Sequence, residues 1–319
     1  MKKLMHFWMM TLVCASFVTS CSSDREMRLL YWNIQNGMWA DQGNDYVNFV
    51  EFVKSQNPDI CVWCEAATIY NTGTAEKMTT PKFLPANWDA LAERYGHRFV
   101  YLGGWRDNYP QVITSRYPIR NVKRILGDPE DVIVSHGAAW AQVEVAGKTL
   151  NIVTLHTWPQ RFAYLAEDRA ASIAENGGDK YRRREMELIC NETIASVEGA
   201  ENEYWMMMGD FNSRSSLDDA QYHFPADTSA YLVHDYILQN TPYVDVIAEQ
   251  HPGEFISSTY GKSRIDFVYC TKPLYNCVKH AEILQDDGAW LTVVRDPSKL
   301  SNFYLPSDHR PIVVDFKIR

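Results

Sequence analysis

The chain is expected to fold as a mixed α/β domain, and three observations predict it. Short apolar, β-branched runs recur along its 319 residues, stretches of helical periodicity separate several of them, and polar residues capable of chemistry stand directly at the ends of the apolar runs. With 46% hydrophobic and 22% charged residues the composition is globular, supplies a sizeable core, and excludes a disordered or fibrous chain.

Met27 to Ile34 reads as a strand, and Tyr46 to Gln56 as an amphipathic helix that stops before Pro58. Asp59 to Trp63 follows as a buried strand. The run Cys61-Val62-Trp63-Cys64 has redox or zinc-like spacing, but no second pair stands at zinc-site spacing and the segment is apolar, so a strand is the better reading. Val112 to Thr114 and Ala139 to Val145 are further strands, and Ala146-Gly147-Lys148 is a hairpin turn into Thr149 to Leu155. Lys180 to Val197 is charged and helical in pattern. Tyr204 to Met208, Ile265 to Tyr269 and Ile312 to Phe316 complete the strands, and their mixture with helices and hairpins predicts a sheet that is not purely parallel. Trp158 to Asp179 and Ser213 to Thr241 show little pattern and are expected as long loops around a site.

The N-terminus poses a separate question. Lys2 and Lys3 precede an apolar run from Leu4 to Val18, short for a membrane span and of the length of a secretory signal's hydrophobic region. Val18-Thr19-Ser20-Cys21 resembles the lipobox of bacterial lipoproteins, and the polar stretch Ser22 to Glu26 resembles a tether. The expectation is a signal peptide over residues 1–20, lipidated Cys21 at the head of a tether over 21–26, and a chain held at the cell envelope, in the periplasm or on the outer membrane. An ordinary cleaved signal with an incidental cysteine is the competing reading.

Chemistry enters through polar residues at the ends of apolar runs: Asn33 after Tyr31-Trp32, Glu65 after Ile60 to Cys64, His156 after Ile152 to Leu155, Asp210 and Asn212 after Met206-Met207-Met208-Gly209, Asp266 in Arg264-Ile265-Asp266-Phe267, and Asp308-His309 before the last strand. Each alone reads as a turn former, a cap or an edge histidine. Together they supply hard oxygen ligands for Mg²⁺ or Mn²⁺, a base to prepare water, and a group to meet a leaving oxygen.

The ordered set Trp-Asn-Ile-Gln, the strand-end Glu65, Thr-Leu-His-Thr, Gly-Asp-Phe-Asn, Arg-Ile-Asp-Phe-Val-Tyr and Ser-Asp-His-Arg-Pro resembles the endonuclease/exonuclease/phosphatase (DNase I-like) superfamily. That group includes DNase I-like nucleases, abasic-site endonucleases, bacterial sphingomyelinases and inositol polyphosphate phosphatases. The motifs run from Trp32 to Pro311, so the resemblance covers nearly all of a catalytic domain over 27–319. It implies a four-layer α/β/β/α sandwich with two sheets face to face. Residue by residue, it implies Glu65 as principal metal ligand with Asn33 close by, and Asp308 assisting at the metal or the scissile phosphate. His309 would be the base or phosphate-polarising imidazole, oriented by Asp266. Asp210 would position the water, Asn212 would hold a phosphate oxygen, and His156 would be the general acid of the DNase I and sphingomyelinase branches. Abasic-site endonucleases carry another residue at that place, which argues against their branch. Cys64 stands where many relatives have Gln, which puts the hydrogen bonding behind Glu65 in question.

The implied activity is metal-dependent hydrolysis of a phosphoester. The net charge of −9, or −11 once Lys2 and Lys3 leave with the signal, is a poor generic match to a nucleic acid. Arg161, Arg169 and Arg182-Arg183-Arg184 are the candidates for a local positive track, although the last three read better as the solvent face of a helix shared with Glu185 and Glu187. A sphingomyelinase would need an apolar docking element, for which Ala289-Trp290-Leu291 and Phe303-Tyr304-Leu305 are candidates. Trp39, Trp105 and Trp158 stand near motifs, with packing as their default role. A nuclease, a phospholipid hydrolase and a hydrolase of small phosphorylated compounds therefore stay open, with a non-catalytic binding lipoprotein as the remote alternative.

Overall fold

The computed structural model describes residues 24–70, 77–82, 84–225, 227–285 and 306–319. In chain order the strands are β1 (Arg25–Asn33), β2 (Ile60–Cys64), β3 (Thr68–Tyr70), β4 (Lys77–Lys82), β5 (Phe99–Leu102), β6 (Val112–Ser115), β7 (Ile119–Gly127), β8 (Ile133–Val145), β9 (Lys148–His156), β10 (Tyr204–Asp210), β11 (Tyr243–Asp245), β12 (Asp266–Thr271), β13 (Val278–Ile283) and β14 (Ile312–Ile318). They build one six-stranded sheet in the order β13-β14-β1-β2-β6-β5, a second in the order β11-β12-β10-β9-β8-β7, and a small β3-β4 hairpin. Both large sheets are mixed: β1 and β2 run parallel, as do β9 and β10, and the other pairs are antiparallel. The result is the expected α/β/β/α sandwich.

Side-chain alternation along each strand explains the layering. Leu29 and Tyr31 of β1, Ile60 and Val62 of β2, Ile152 of β9 and Met206 and Met208 of β10 point between the sheets and form the central core. Their neighbours Leu30, Trp32, Cys61 and Trp63 point outward, under the helices Val47–Gln56 and Trp88–Arg94. On the other flank Val153, Leu155, Trp205 and Met207 meet the helices Gly177–Glu192 and Leu232–Asn240. Ala146 and Gly147 both take positive φ (52° and 74°) in the expected hairpin turn between β8 and β9.

The sequence reading and the structure differ in several places. The first strand opens at Arg25, inside the expected tether. The stretch Ser213 to Thr241 is not one loop: Leu232–Asn240 is a helix because Val233, Tyr236 and Ile237 fall on one face and bury against the second sheet. Trp158 to Asp179 likewise contains the helix Arg169–Ala174, capped by Asp168, whose carboxylate accepts from the Ala171 N–H at 3.0 Å. The Arg182-Arg183-Arg184 run is not a uniform solvent face. Arg182 and Glu185 are buried, while Arg183 pairs with Glu187 and Arg184 with Asp131 on the surface. Cys61 and Cys64 are buried strand residues, and all five described cysteines are free thiols. Trp39 is buried and Trp158 packs on Tyr164 and Phe162. Among the described residues no helix is long and apolar enough to cross a membrane. The signal region, Cys21 and the candidate docking elements at 289–291 and 303–305 lie outside the described residues.

Candidate active site

The inward-facing rows that fill the space between the sheets end in polar residues at one rim. Asn33 continues the row of Leu29 and Tyr31, His156 that of Ile152, and Asp210 that of Met206 and Met208. Asp266 opens β12, which runs antiparallel to β10, so it arrives at the same rim from the other direction. Register puts His156, Asp210 and Asp266 side by side, since His156 pairs with Asp210 and Asp210 with Asp266. Apolar packing below and polar convergence above are thus one pattern with a single change of chemistry at its last step.

Gly209 lets these strands close up, because a Cβ there would stand 2.1 Å from the Leu155 carbonyl oxygen. Two neighbours hold the left-handed conformation that favours glycine, Glu65 at φ 54° and Asn212 at φ 45°. Such backbone in ordered, non-glycine residues clusters at functional sites.

All eight residues singled out for catalysis or metal binding form one connected network. Asn33 donates its Nδ2 to Asp210 Oδ2 at 3.2 Å and lies 3.4 Å from Glu65 Oε1. Glu65 Oε2 accepts the Asn36 N–H at 3.0 Å, so two asparagines hold the carboxylate while Cys64 stays in the core. Asp210 Oδ1 accepts the Asn212 N–H at 2.8 Å, and Asn212 donates its Nδ2 to the Thr157 carbonyl at 3.0 Å. His156 Nε2 lies 3.7 Å and His309 Nε2 3.8 Å from Asp210 Oδ2, so both imidazoles face one carboxylate oxygen. His309 Nδ1 lies 2.7 Å from Asp266 Oδ2, and Asp308 Oδ1 is 3.8 Å from His309 Nε2. Asp308 is the open member, its side chain 52% exposed.

Several supporting residues escaped the sequence reading. Tyr31 donates its hydroxyl to Asp266 Oδ1 at 2.7 Å, and Ser258 donates to Asp266 Oδ2 at 2.8 Å. Ser307 ties the His309 segment to β1 by donating to the Asn33 carbonyl at 2.6 Å, and Trp32 donates its Nε1 to the His309 carbonyl at 2.9 Å. Behind His156 stands a second histidine. His136 packs against it, the rings tilted by 38° with centroids 4.3 Å apart, and its Nδ1 lies 2.7 Å from Asp107 Oδ2. A serine or tyrosine in an apolar run carries little signal, whereas Ser135-His136-Gly137, polar at the start of a long strand, was a visible one.

Electrostatics separates the two facing histidines. Burial alone would lower the pKa of His309, but the Asp266 charge and hydrogen bond, followed by Asp210 and Asp308, raise it well above the ordinary value. Burial lowers that of His156 well below the ordinary value, and the nearby His136 and His309 add to the effect. Asp210 is pushed up to about 7, first by burial and then by Asp266. Glu65 is raised by burial and by Asp308. Crowded carboxylates of this kind call for a cation.

Hard oxygen donors from Glu65, Asn33 and Asp308 suit a divalent ion such as Mg²⁺. A tighter geometric group, Asp210, Asp266 and His309, has ligand atoms within 4.8 Å of one another. Both Asp266 oxygens are already engaged by Tyr31, Ser258 and His309, so that group serves better as an oriented acid–base set than as a metal cage.

No protein-family model matches this chain, and no curated protein does. Solved structures do. An AP endonuclease from Archaeoglobus fulgidus superposes with TM-score 0.58 at 18% identity, over 92% of this chain and 100% of that one. A 3′ phosphatase from Neisseria bound to a product DNA hairpin gives 0.56 at 16% identity, over 91% and 99%. An endonuclease/exonuclease/phosphatase protein from Beutenbergia cavernae gives 0.54 at 15% identity, over 92% and 72%. These likenesses show the fold, which is DNase I-like.

Proposed function

On this DNase I-like fold, we propose a divalent-metal-dependent hydrolase of phosphoester bonds, a phosphodiesterase or phosphatase. The observation that carries the reading is the Asp266–His309 pair at 2.7 Å facing Asp210 and His156 across one rim. Asp266 holds Nδ1 of His309 and favours the imidazolium, whose Nε2–H donates to a phosphoryl oxygen; a base role needs the neutral ring, which a bound cation's positive charge would favour. Asp210, poised near neutrality, positions the attacking water, and Asn212 offers its amide to a phosphate oxygen. His156 is neutral in these surroundings. It offers an N–H to the leaving oxygen, and the general-acid role implied by the resemblance needs a bound phosphoester's negative charge to raise its pKa.

Asn33, Glu65 and Asp308 would hold the cation, which supplies charge neutralisation and polarisation of the phosphoryl oxygen when bound. Two of the similar structures bear names that refer to DNA chemistry, an AP endonuclease and a phosphatase bound to a DNA hairpin. The net charge of −9 speaks against duplex DNA here and for a smaller phosphoester, processed outside the cytoplasm by a chain anchored through Cys21. The test is a panel of bis-p-nitrophenyl phosphate, p-nitrophenyl phosphate, plasmid DNA, RNA, sphingomyelin and inositol phosphates, each with Mg²⁺, with Mn²⁺ and with EDTA. Hydrolysis of at least one, abolished by chelator, is expected; none across the panel rejects the reading.

A further inference from the structure

A cavity of about 610 Å³ opens directly beside the candidate active site. Asn212, which belongs to the catalytic network, lines it, and so does Ile265, next to Asp266. Its charged lining residues are three arginines, Arg161, Arg182 and Arg214, and one acid, Asp179.

That carboxylate is already spent. Asp179 accepts from Arg182 and, at 2.5 Å, from the Ser229 hydroxyl. Arg182 is immobilised further by the Trp158 and Gln160 carbonyls at 2.8 and 3.0 Å, with its side chain only 7% exposed. Arg214 has no carboxylate partner among the described residues. Its guanidinium lies 5.6 and 5.9 Å from the centroids of the Tyr222 and Phe224 rings, which stack on each other, and donates to the Ser263 hydroxyl at 3.4 Å. The Arg161 guanidinium has no hydrogen-bond or ion-pair partner among the described residues. Elsewhere Arg28, Arg94, Arg116, Arg183, Arg184 and Arg264 each hold a carboxylate, whereas Arg25 meets a tyrosine and Arg124 backbone carbonyls; what distinguishes Arg161 and Arg214 is that they line one cavity. In a chain of net charge −9, two arginines without a carboxylate partner among the described residues line one cavity and give it a local charge opposite to the whole.

Resting on the phosphoester-hydrolase reading, we propose that this cavity binds a second phosphate group carried by the same substrate molecule, so that the preferred substrate is a phosphoester bearing at least one further phosphate. The planar guanidinium fork matches phosphate oxygens in pairs, and the Tyr222 and Phe224 rings beside Arg214 restrict its side chain. Because Asn212 borders both spaces, a phosphate in the cavity and a phosphorus beside Asp210 can belong to one small molecule.

Two measurements test this. The first compares kcat/KM for thymidine 5′-(p-nitrophenyl phosphate) with and without a 3′-phosphate, in the wild type and in Arg161→Ala, Arg214→Ala and Arg184→Ala. The added phosphate is expected to raise kcat/KM at least tenfold, and the ratio to fall towards one in the Arg161 and Arg214 variants but not in Arg184→Ala. Equal kcat/KM in the wild type overturns the proposal and leaves phosphoester hydrolysis standing. The second titrates the full mature chain with pyrophosphate in EDTA, a readout independent of turnover, so it still decides the subsite if neither ester is cut. Saturable binding, weakened at least tenfold in both cavity variants, is expected; binding that is absent, or unchanged in both, overturns the proposal. Displacement of that pyrophosphate by tetrathymidylate assigns the phosphate to a nucleic-acid backbone, and displacement by inositol 1,4-bisphosphate to a small phosphorylated compound. Displacement by neither rejects the subsite.

Discussion

His309 Nδ1 and Asp266 Oδ2 stand 2.7 Å apart although the residues are 43 positions apart in sequence, and each is pinned independently. Tyr31 and Ser258 fix the carboxylate, while Trp32 and Ser307 fix the backbone of the histidine segment. The pair is therefore preorganised by both sheets, and its geometry does not depend on a ligand.

Asp266→Asn should preserve the fold and lower kcat by about 10² to 10⁴, because an amide neither favours the imidazolium nor sets the same tautomer. The check is kcat on whichever panel substrate is cut, beside a circular dichroism melt. An unchanged kcat would remove Asp266 from the mechanism.

His309→Ala and Asp210→Ala should each lower kcat by roughly 10² to 10⁴, the usual scale for a positioned acid or base. The double variant should lose much less than the product of the two effects, since both act on one proton path. Full multiplicativity would show that the two residues serve separate steps.

Stability should depend on pH in a direction set by the same groups. Protonated His309 stabilises the fold below its ordinary value of 6.5, and that contribution is lost as pH rises through its higher folded value. Asp210 keeps a proton up to about 7 in the folded chain but gives it up near 3.8 when unfolded, so stability also falls as pH rises across that interval. His156 acts in the opposite sense, with its folded value lowered, but its contribution is complete by about 6.5. In EDTA, Tm should therefore fall as pH rises above 6.5, and the Tm increment from added Mg²⁺ should grow over the same range. A flat metal-free Tm would contradict this account.

Arg264→Ala should destabilise the protein by about 3–5 kcal/mol, the scale for breaking a buried ion pair. Its Nε meets Asp218 at 2.8 Å and its Nη1 meets Asp245 at 2.7 Å, all three side chains being nearly fully buried. Asp245 also caps the helix Val246–Gln250, so two uncompensated carboxylates and a loosened helix start would remain. Urea denaturation measures the loss, and a change below 1 kcal/mol would show that the site relaxes around water.

Cys21→Ser should move the mature chain from the membrane to the soluble fraction of the native host, with loss of the acyl mass on the N-terminal peptide. Recovery of wild-type protein in the soluble fraction with unmodified Cys21 would reject the anchor.

The sequence by itself determined the main strands and the polar residue at the end of several of them. An apolar run with a polar end is a local property, and Ile152 to His156 or Met206 to Asp210 shows it without any knowledge of neighbours. The order of the motifs likewise implied the sandwich before any contact was known. The short helix Leu232–Asn240 was less legible, because its apolar face is only a few residues long and its burial depends on the sheet below. Only the tertiary structure decided which polar ends meet. The Tyr31 hydroxyl reaches Asp266 across 235 positions of sequence, and Asp210 stands between two histidines because sheet register and the approach of the two sheets place it there. The same holds for the arginines. Arg182, Arg183 and Arg184 are equivalent as letters, yet helix rotation buries the first at a cavity and leaves the others paired on the surface. Burial and long-range pairing change the free energy of a charge by more than its local sequence does, so the chemistry of these side chains is set by the fold.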